Sequence, residues 1–386
     1  MSSNQGAILF LTSWYPVETN PTHGIFIRNH ALALSQFQKV IVVYAYSSNH
    51  KSSAEIEETV VNENLTEYRL CYSKSFFAVR PLSTFLQFIK FKKAHKQLIS
   101  HLQKKQIQIK AIQVNVIFPV ALVLDLYKRT FNAEHSILEH WSGYLKQDGN
   151  YKGGILKRTT QAAIAGAKKI WYVSQPQKEA MQHHGLNGNY ELIYNAVDTD
   201  VFKPAKNNNS RINLLHVSSL VEREKNLKGT FSAIQELQSK GYDFDFTVVG
   251  GEGDELNAAR DLAKLLKLKN TTFKGVLNPA QVAEQMQQAT ALILFSHFEG
   301  MPVVVLEALS CGLPVVTSKV GQLPYMIHES YGKLVEAGNT NELILMLEEI
   351  LKGNAKFDKE QMRNFVLKHA SYAAVGKQLN DFYSKV

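Results

Sequence analysis

The chain has 386 residues, 45% of them hydrophobic and 20% charged, which excludes disorder over most of its length. Two cysteines, Cys71 and Cys311, exclude a disulfide scaffold or a cysteine-rich zinc site and fit a reducing compartment. The net charge of +9 is uneven. Residues 1–200 hold 22 Lys and Arg against 14 Asp and Glu, and residues 201–386 hold 21 against 20. The first half therefore points to an anionic partner: a membrane surface, a phosphorylated lipid, an acidic glycan or nucleic acid.

No stretch reaches 18 apolar residues, so no membrane-spanning helix is expected, and the polar, uncharged start Met1–Gln5 does not read as a signal peptide. Ala7–Thr12 is a short apolar run that suits a buried parallel strand. Gly24–Gln36 has helical spacing, with Ile27, Ala31 and Leu34 on one stripe. Val40–Tyr46 is the second strand, and residues 51–77 read as two exposed β segments. Residues 82–107 read as a long helix with Phe85, Phe88 and Ile89 on one side. Eight Lys or Arg and no Asp or Glu lie between Arg80 and Lys110. Ala111–Ile117 is a strand, Pro119–Arg129 a helix opened by proline, and Ser136–Glu139, Ile170–Val173 and Leu192–Ile193 are further strand ends.

A polar break at 203–210, with a proline and an asparagine run, reads as an interdomain linker. The rhythm then restarts. Strands are expected at Ile212–Val217, Phe244–Val249, Thr272–Gly275, Ala291–Phe295 and Pro314–Thr317. Helices are expected at Leu227–Leu237, Asp254–Leu266, Ala280–Gln288, Pro302–Ser310, Asn341–Leu351 and through 359–384. This pattern is α/β: two doubly wound, Rossmann-like domains, with ligands expected beyond the carboxyl ends of the strands.

The densest chemistry follows the strand that ends at Phe295. A short loop carries Glu299 and Gly300, and Pro302 opens a helix. The first amides of that helix have no intrahelical partner and suit a phosphate or a sugar hydroxyl. Glu307, more than one turn inside the helix, can face the same crevice. Surface carboxylates in solvent are the bland alternative.

These residues resemble the acidic signature of the retaining glycosyltransferase family 4 (glycosyl transferases group 1). The resemblance implies the GT-B fold, with two domains facing across a cleft. It implies an acceptor-binding domain at 1–203 and a nucleotide-sugar-binding domain at 204–370, with a terminal helix at 371–386 packing back on the first. By the same resemblance Glu307 holds the ribose diol of a nucleoside-diphosphate-sugar donor, UDP- or GDP-linked. Glu299 lies by the transferred sugar, and Gly300, Met301, Pro302, Val303 and Val304 line the sugar and diphosphate. Asn195-Ala196-Val197-Asp198 resembles the family's Asn-Gly-Val-Asp stretch, and Gly250-Gly251 its glycine-rich turn. Ser219 stands where the family commonly has Arg, so Lys225, with Arg223, is the expected cation for the diphosphate. Gly24 resembles the family's glycine loop opposite the donor phosphates, and His140 a histidine near the transferred sugar.

The resemblance implies a retaining reaction with no cofactor and no metal. Glu299, His140 and Lys225 are the expected catalytic residues, and the acceptor is a glycan or a lipid-linked sugar. The two Asp-x-Asp runs, Asp198-Thr199-Asp200 and Asp243-Phe244-Asp245, are set aside as metal sites; the second is read as lying inside a strand. A role in bacterial surface polysaccharide synthesis, in the cytoplasm or at the inner face of the plasma membrane, is the family-level expectation. The basic segment 80–110, with Phe85, Phe88, Phe91 and Lys90, Lys92, Lys93, Lys96, suits an anionic leaflet. Its alternative is a packed helix with a solvated basic face. No nucleic-acid motif accompanies the charge. A nucleotide-sugar epimerase or hydrolase of the same fold, and a non-catalytic sugar-binding protein, stay open as alternatives.

Overall fold

The structure, a computed structural model, describes residues 6–48, 55–74, 80–205 and 211–386. The chain divides into two units, Met1–Ile193 with Val375–Val386, and Tyr194–Ala374.

The first unit runs β1 (Ala7–Thr12), α1 (Ile25–Ser35), β2 (Val40–Ser48), β3 (Glu55–Asn62), β4 (Leu65–Ser73), α2 (Arg80–Lys104) and β5 (Ile109–Asn115). It continues through α3 (Leu124–Phe131), β6 (Glu134–Glu139), α4 (Gly154–Ala165), β7 (Ile170–Tyr172), α5 (Gln175–His183) and β8 (Tyr190–Leu192). The strands form one sheet in the order β3-β4-β2-β1-β5-β6-β7-β8. Every pairing is parallel except the β3–β4 hairpin. All six residues of β1 are buried, because it lies between β2 and β5 with helices over the sheet.

Of the two β segments expected to be exposed, only β3 alternates toward solvent. β4 is largely buried, because it pairs with β2 over Val40–Ser48 and forms an interior strand. Residues 51–54 and 75–77 of that reading lie outside the described residues. The expected helix Pro119–Arg129 is two pieces. A tight 3₁₀ turn at Val120–Leu122, in which Pro119 O accepts the Leu122 N–H, precedes α3. In α2, Phe91, Ala94, His95, Leu98 and Leu102 face the core, while Phe85 and Ile89 are exposed. Phe91 therefore belongs to the packed face and not to a surface one.

The second unit runs β9 (Asn213–Val217), α6 (Glu222–Lys225), α7 (Leu227–Ser239), β10 (Asp245–Val249), α8 (Gly253–Leu265), β11 (Thr271–Gly275) and α9 (Pro279–Gln288). It continues through β12 (Ala291–Leu294), α10 (Val303–Ser310), β13 (Val315–Ser318), α11 (Leu323–Met326), β14 (Gly332–Val335), α12 (Thr340–Leu351) and α13 (Lys359–His369). Helix α14 (Tyr372–Tyr383) begins here and ends in the first unit. The six-stranded sheet has the order β11-β10-β9-β12-β13-β14 and is parallel throughout.

The division falls at Ile193/Tyr194, ahead of the expected 203/204 boundary. The reason is local bonding: residues 195–202 are tied to the second unit. Asn195 bonds Met301, the Val197 N–H donates to Ala370 O, and Arg363 donates to Thr199 O (2.7 Å) and Phe202 O (2.5 Å). The same guanidinium reaches Ser310 O (3.0 Å) at the end of α10. Within the expected linker, residues 206–210 lie outside the described residues.

Candidate active site

Strand order reverses between β9 and β12 in the second unit, so the loops after these strands diverge and leave a crevice. The segment expected to carry the diphosphate cation and the one with the acidic signature follow these two strands. Helix α6 carries Lys225, and the loop after β12 carries Ser296 and Glu299. Lys225 Nζ lies 2.7 Å from Glu299 Oε1, and Ser296 Oγ donates to the same oxygen at 2.7 Å. The pair is mostly shielded, with side-chain exposures of 16% for Lys225 and 8% for Glu299. Glu299 Oε2 makes no hydrogen bond among the described residues, so one acceptor of a fixed carboxylate stays open.

The next residue in the chain fixes where Lys225 sits. Asn226 takes a left-handed conformation (φ 49°) and caps α7, its side chain accepting the Gly229 N–H at 3.1 Å. The loop bearing Glu299 is held from two sides. The Gln322 N–H donates to Gly300 O at 2.8 Å, and Asn195 Nδ2 donates to Met301 O at 2.7 Å. Gly321 (φ 57°) closes the turn. A Cβ there would sit 2.3 Å from the carbonyl oxygens of Glu299 and Gly300, so no larger residue fits.

Pro302 occupies the N-cap of α10 and offers no side-chain acceptor to its first amides. Val303 is half-buried in that first turn. Glu307 lies on the same helix, half-buried. Its carboxylate makes no hydrogen bond or ion pair among the described residues, and burial pushes its pKa up to about 7. A shielded acceptor without a donor suits a ligand that brings two hydroxyls.

Gly250 (φ 102°) and Gly251 (φ 69°) follow β10 in the adjacent turn. A Cβ on Gly250 would meet Ser218 O at 1.9 Å, and one on Gly251 would meet the Leu220 side chain at 2.6 Å. The two glycines therefore let this turn pack directly on the turn after β9. Arg223 is not brought to the cluster: its guanidinium is 67% exposed and lies 3.5 Å from Glu224. Solvent competes for it there, one residue from the start of a four-residue helix.

Gly24 and His140 belong to the first unit, where strand order reverses between β1 and β5. Gly24 (φ 70°) caps α1 and presses on the backbone of Trp14 and Tyr15, 2.8–2.9 Å from a Cβ if it had one. The α1 residue Phe26 packs on His140 with ring centroids 4.2 Å apart and the rings tilted by 35°, and His30 lies 5.6 Å away. Burial, reinforced by His30, holds the His140 imidazole well below its usual pKa, so it is neutral, and its Nε2 is buried without a partner among the described residues.

Sequence reasoning missed the organiser of this loop. Glu139 is buried and accepts the N–H groups of His140 (2.8 Å), Trp141 (2.9 Å) and Ile117 (3.1 Å) and the Tyr144 hydroxyl (3.0 Å). Burial still raises its pKa, against the pull of those donors. A carboxylate closing a strand directly after the apolar pair Ile137-Leu138 was the available signal. Ser296 and Gly321 were also not singled out as site residues.

Among the described residues no group of three or more His, Cys, Asp or Glu could hold a metal ion. Arg211 engages both carboxylates of the second Asp-x-Asp run, Asp243 at 3.0 Å and Asp245 at 2.9 Å. That run sits at the start of β10, since the strand begins at Asp245 and not before. Asp198 accepts the N–H groups of Asp200 and Val201. No helix among the described residues is long and apolar enough to cross a membrane.

Residues 197–366, within the second unit, match the family Glycosyl transferases group 1. The second unit therefore carries the domain this family describes. The transferase is 26% identical over 264 residues to an uncharacterized glycosyltransferase of Methanocaldococcus jannaschii, covering 67% of this chain and 71% of that one. It is 27% identical to an N-acetyl-alpha-D-glucosaminyl L-malate synthase of Bacillus anthracis, covering 48% of this chain and 51% of that protein. Among solved structures, sucrose-phosphate synthase from Thermosynechococcus elongatus aligns with a TM-score of 0.77 over 98% of both chains, at 19% identity. HepE of Anabaena in complex with UDP and glucose aligns with a TM-score of 0.72 over 99% of this chain and 100% of that one, at 14% identity. The transferase thus has the GT-B fold.

Proposed function

We propose that this transferase moves a sugar, with retention of anomeric configuration and without a bound metal, from a UDP- or GDP-linked donor to a glycan or lipid-linked acceptor. The observation that carries the reading is the Lys225–Glu299 pair at the strand-order reversal of the second unit, beside α10 with Glu307, unpaired among the described residues. In this reading Glu307 accepts the ribose diol. Glu299 keeps Lys225 and Ser296 on Oε1 and offers Oε2 to a hydroxyl of the transferred sugar. The Lys225 ammonium and the first amides of α10 stabilise charge as it develops on the leaving diphosphate. The leaving oxygen takes the acceptor's proton on the same face, so the protein supplies position and electrostatics and no nucleophile. His140, neutral, donates to a sugar hydroxyl.

HepE is bound to UDP and glucose, and two relatives are named for N-acetylglucosaminyl chemistry, which supports a UDP-sugar over other donors. The second unit takes the donor and the first the acceptor. Exposed Phe85 and Ile89 on α2, with exposed Lys92, Lys93 and Lys96, support peripheral attachment to an anionic leaflet. A cytoplasmic role in bacterial surface polysaccharide synthesis fits that placement.

The test is a thermal-shift panel of UDP- and GDP-sugars with chelator present, on wild type and Glu307→Ala. A shift with one base that Glu307→Ala abolishes is the expected result. No shift with any nucleotide sugar would overturn the donor reading and leave a sugar-binding protein.

A further inference from the structure

The middle of β9 breaks its own pattern. Leu214 and Leu215 are fully buried apolar residues, and the next position, His216, is equally buried but polar. Both ring nitrogens are engaged. Nδ1 lies 3.0 Å from Ile293 O, a carbonyl that can only accept, so Nδ1 carries the proton. Nε2 is then an acceptor, and the Ser218 hydroxyl, 2.8 Å away, donates to it. With its proton so directed, Ser218 Oγ accepts the Leu220 N–H at 3.0 Å. This chain of three bonds runs from β12 through β9 to Leu220, one atom pair at a time.

Its far end needs holding. Leu220 has φ 60°, a left-handed conformation that L side chains rarely adopt, and it is 2% exposed. The turn it closes is the one on which Gly250 and Gly251 pack. It leads within five residues to Lys225. It also contains Ser219, which offers no cation, and precedes Arg223, which points into solvent. The turn therefore has no side-chain cation of its own to fix an anion.

We infer that His216 is a positioning residue that acts through Ser218 to hold the 218–220 turn in the shape that receives the donor's diphosphate. The inference rests on the donor reading above. Burial lowers the His216 pKa to about 4, and the nearby Lys225 charge pushes the same way, so the imidazole stays neutral and the direction of the bonds is constant across working pH. His216 does not touch the donor. A residue of similar volume, such as phenylalanine, fills the space and removes both bonds.

The experiment is isothermal titration of UDP, UMP, GDP and GMP into wild type, His216→Phe, Ser218→Ala and the double variant. Wild type is expected to bind the diphosphate of one base more tightly than its monophosphate. In each single variant the diphosphate Kd rises about tenfold while the monophosphate Kd changes less than about twofold. The ratio of the two constants is independent of the folded fraction, so general destabilisation does not move it. The double variant is expected within about twofold of the worse single one, because the two residues form one chain. An unchanged ratio in both single variants, or full additivity in the double, overturns the inference. Should His216→Phe fail to fold, Ser218→Ala decides alone. Wild type binding neither diphosphate is a separate result that removes the donor reading and this inference with it.

Discussion

Replacing Lys225 with methionine separates the structural from the chemical role of the ion pair. At 2.7 Å the gross attraction is about 6 kcal/mol for an effective dielectric of 20. Desolvation of both groups offsets much of that. Removing one partner of a buried pair costs roughly 3–5 kcal/mol because the other charge is left shielded and unpaired. Lys225 retains 16% exposure, and Ser296 still donates to Glu299, so about 2–3 kcal/mol is expected here. For a unit of this size that is a fall in Tm of roughly 5–10 °C. Adding Glu299→Gln removes the stranded charge, so the double variant should recover most of the stability while binding no nucleotide sugar. Chemical denaturation of the four proteins gives the coupling energy, and titration with the best nucleotide gives the binding. A Lys225→Met loss below about 0.5 kcal/mol, or a double variant no more stable than the single, refutes the argument that the pair is shielded and coupled.

Glu307 has a folded pKa near 7 against 4.5 for the free group. The native state therefore holds the extra proton between these values, and this group's contribution to stability falls as pH rises from about 4.5 to 7. Glu307→Gln should remove that slope and add about 2 kcal/mol at pH 8, after allowance for the group's contact with water. A diol binds the ionised form, so nucleotide affinity in wild type should rise between pH 5.5 and 7.5. Titration that shows the same rise in Glu307→Gln refutes the assignment. Gly321→Ala, facing two carbonyl oxygens at 2.3 Å with φ 57°, should cost more than about 2 kcal/mol and abolish nucleotide binding. A variant within 0.5 kcal/mol of wild type by urea titration would show that the turn yields. The triple variant Lys92→Glu, Lys93→Glu, Lys96→Glu should lose at least about 3 kcal/mol of partitioning onto phosphatidylglycerol vesicles. Unchanged co-sedimentation would rule out α2 as the contact.

Much of this molecule is legible in its sequence because two βα halves impose their period directly. β1 has its expected limits, and most elements of the second half fall within one or two residues of expectation. What escaped has identifiable causes. β4 carries Glu67 and Arg69 among its apolar residues, and reads as exposed. Yet Glu67 is fully buried, held by Tyr15, Arg28 and Arg69. A polar residue satisfied by partners 39 and 52 positions away leaves no local signature. The 194–202 stretch reads as the end of the first unit, but its bonds to Met301, Ala370 and Arg363 lie far down the chain. The acidic signature at Glu299 and Glu307 was legible as residues. That Lys225 would be the partner of Glu299, and that Arg223 would point away, depends on which side of a four-residue helix faces the strand, and sequence spacing does not report that.

Helix α10 has unequal ends. At its C-terminus the Arg363 guanidinium gathers Ser310 O and Ser310 Oγ together with the carbonyls of Thr199 and Phe202. A full positive charge thus covers the end of the helix where carbonyl oxygens concentrate negative potential. Its N-terminus has no such cover from the described residues. With the negative pole neutralised at close range, the positive pole is no longer opposed along the eight-residue axis, and the field over Val303 and Val304 is stronger than the helix alone would make it. Arg363 is therefore a remote electrode: its charge adds to the pull on an anion at the far end of α10 without touching it.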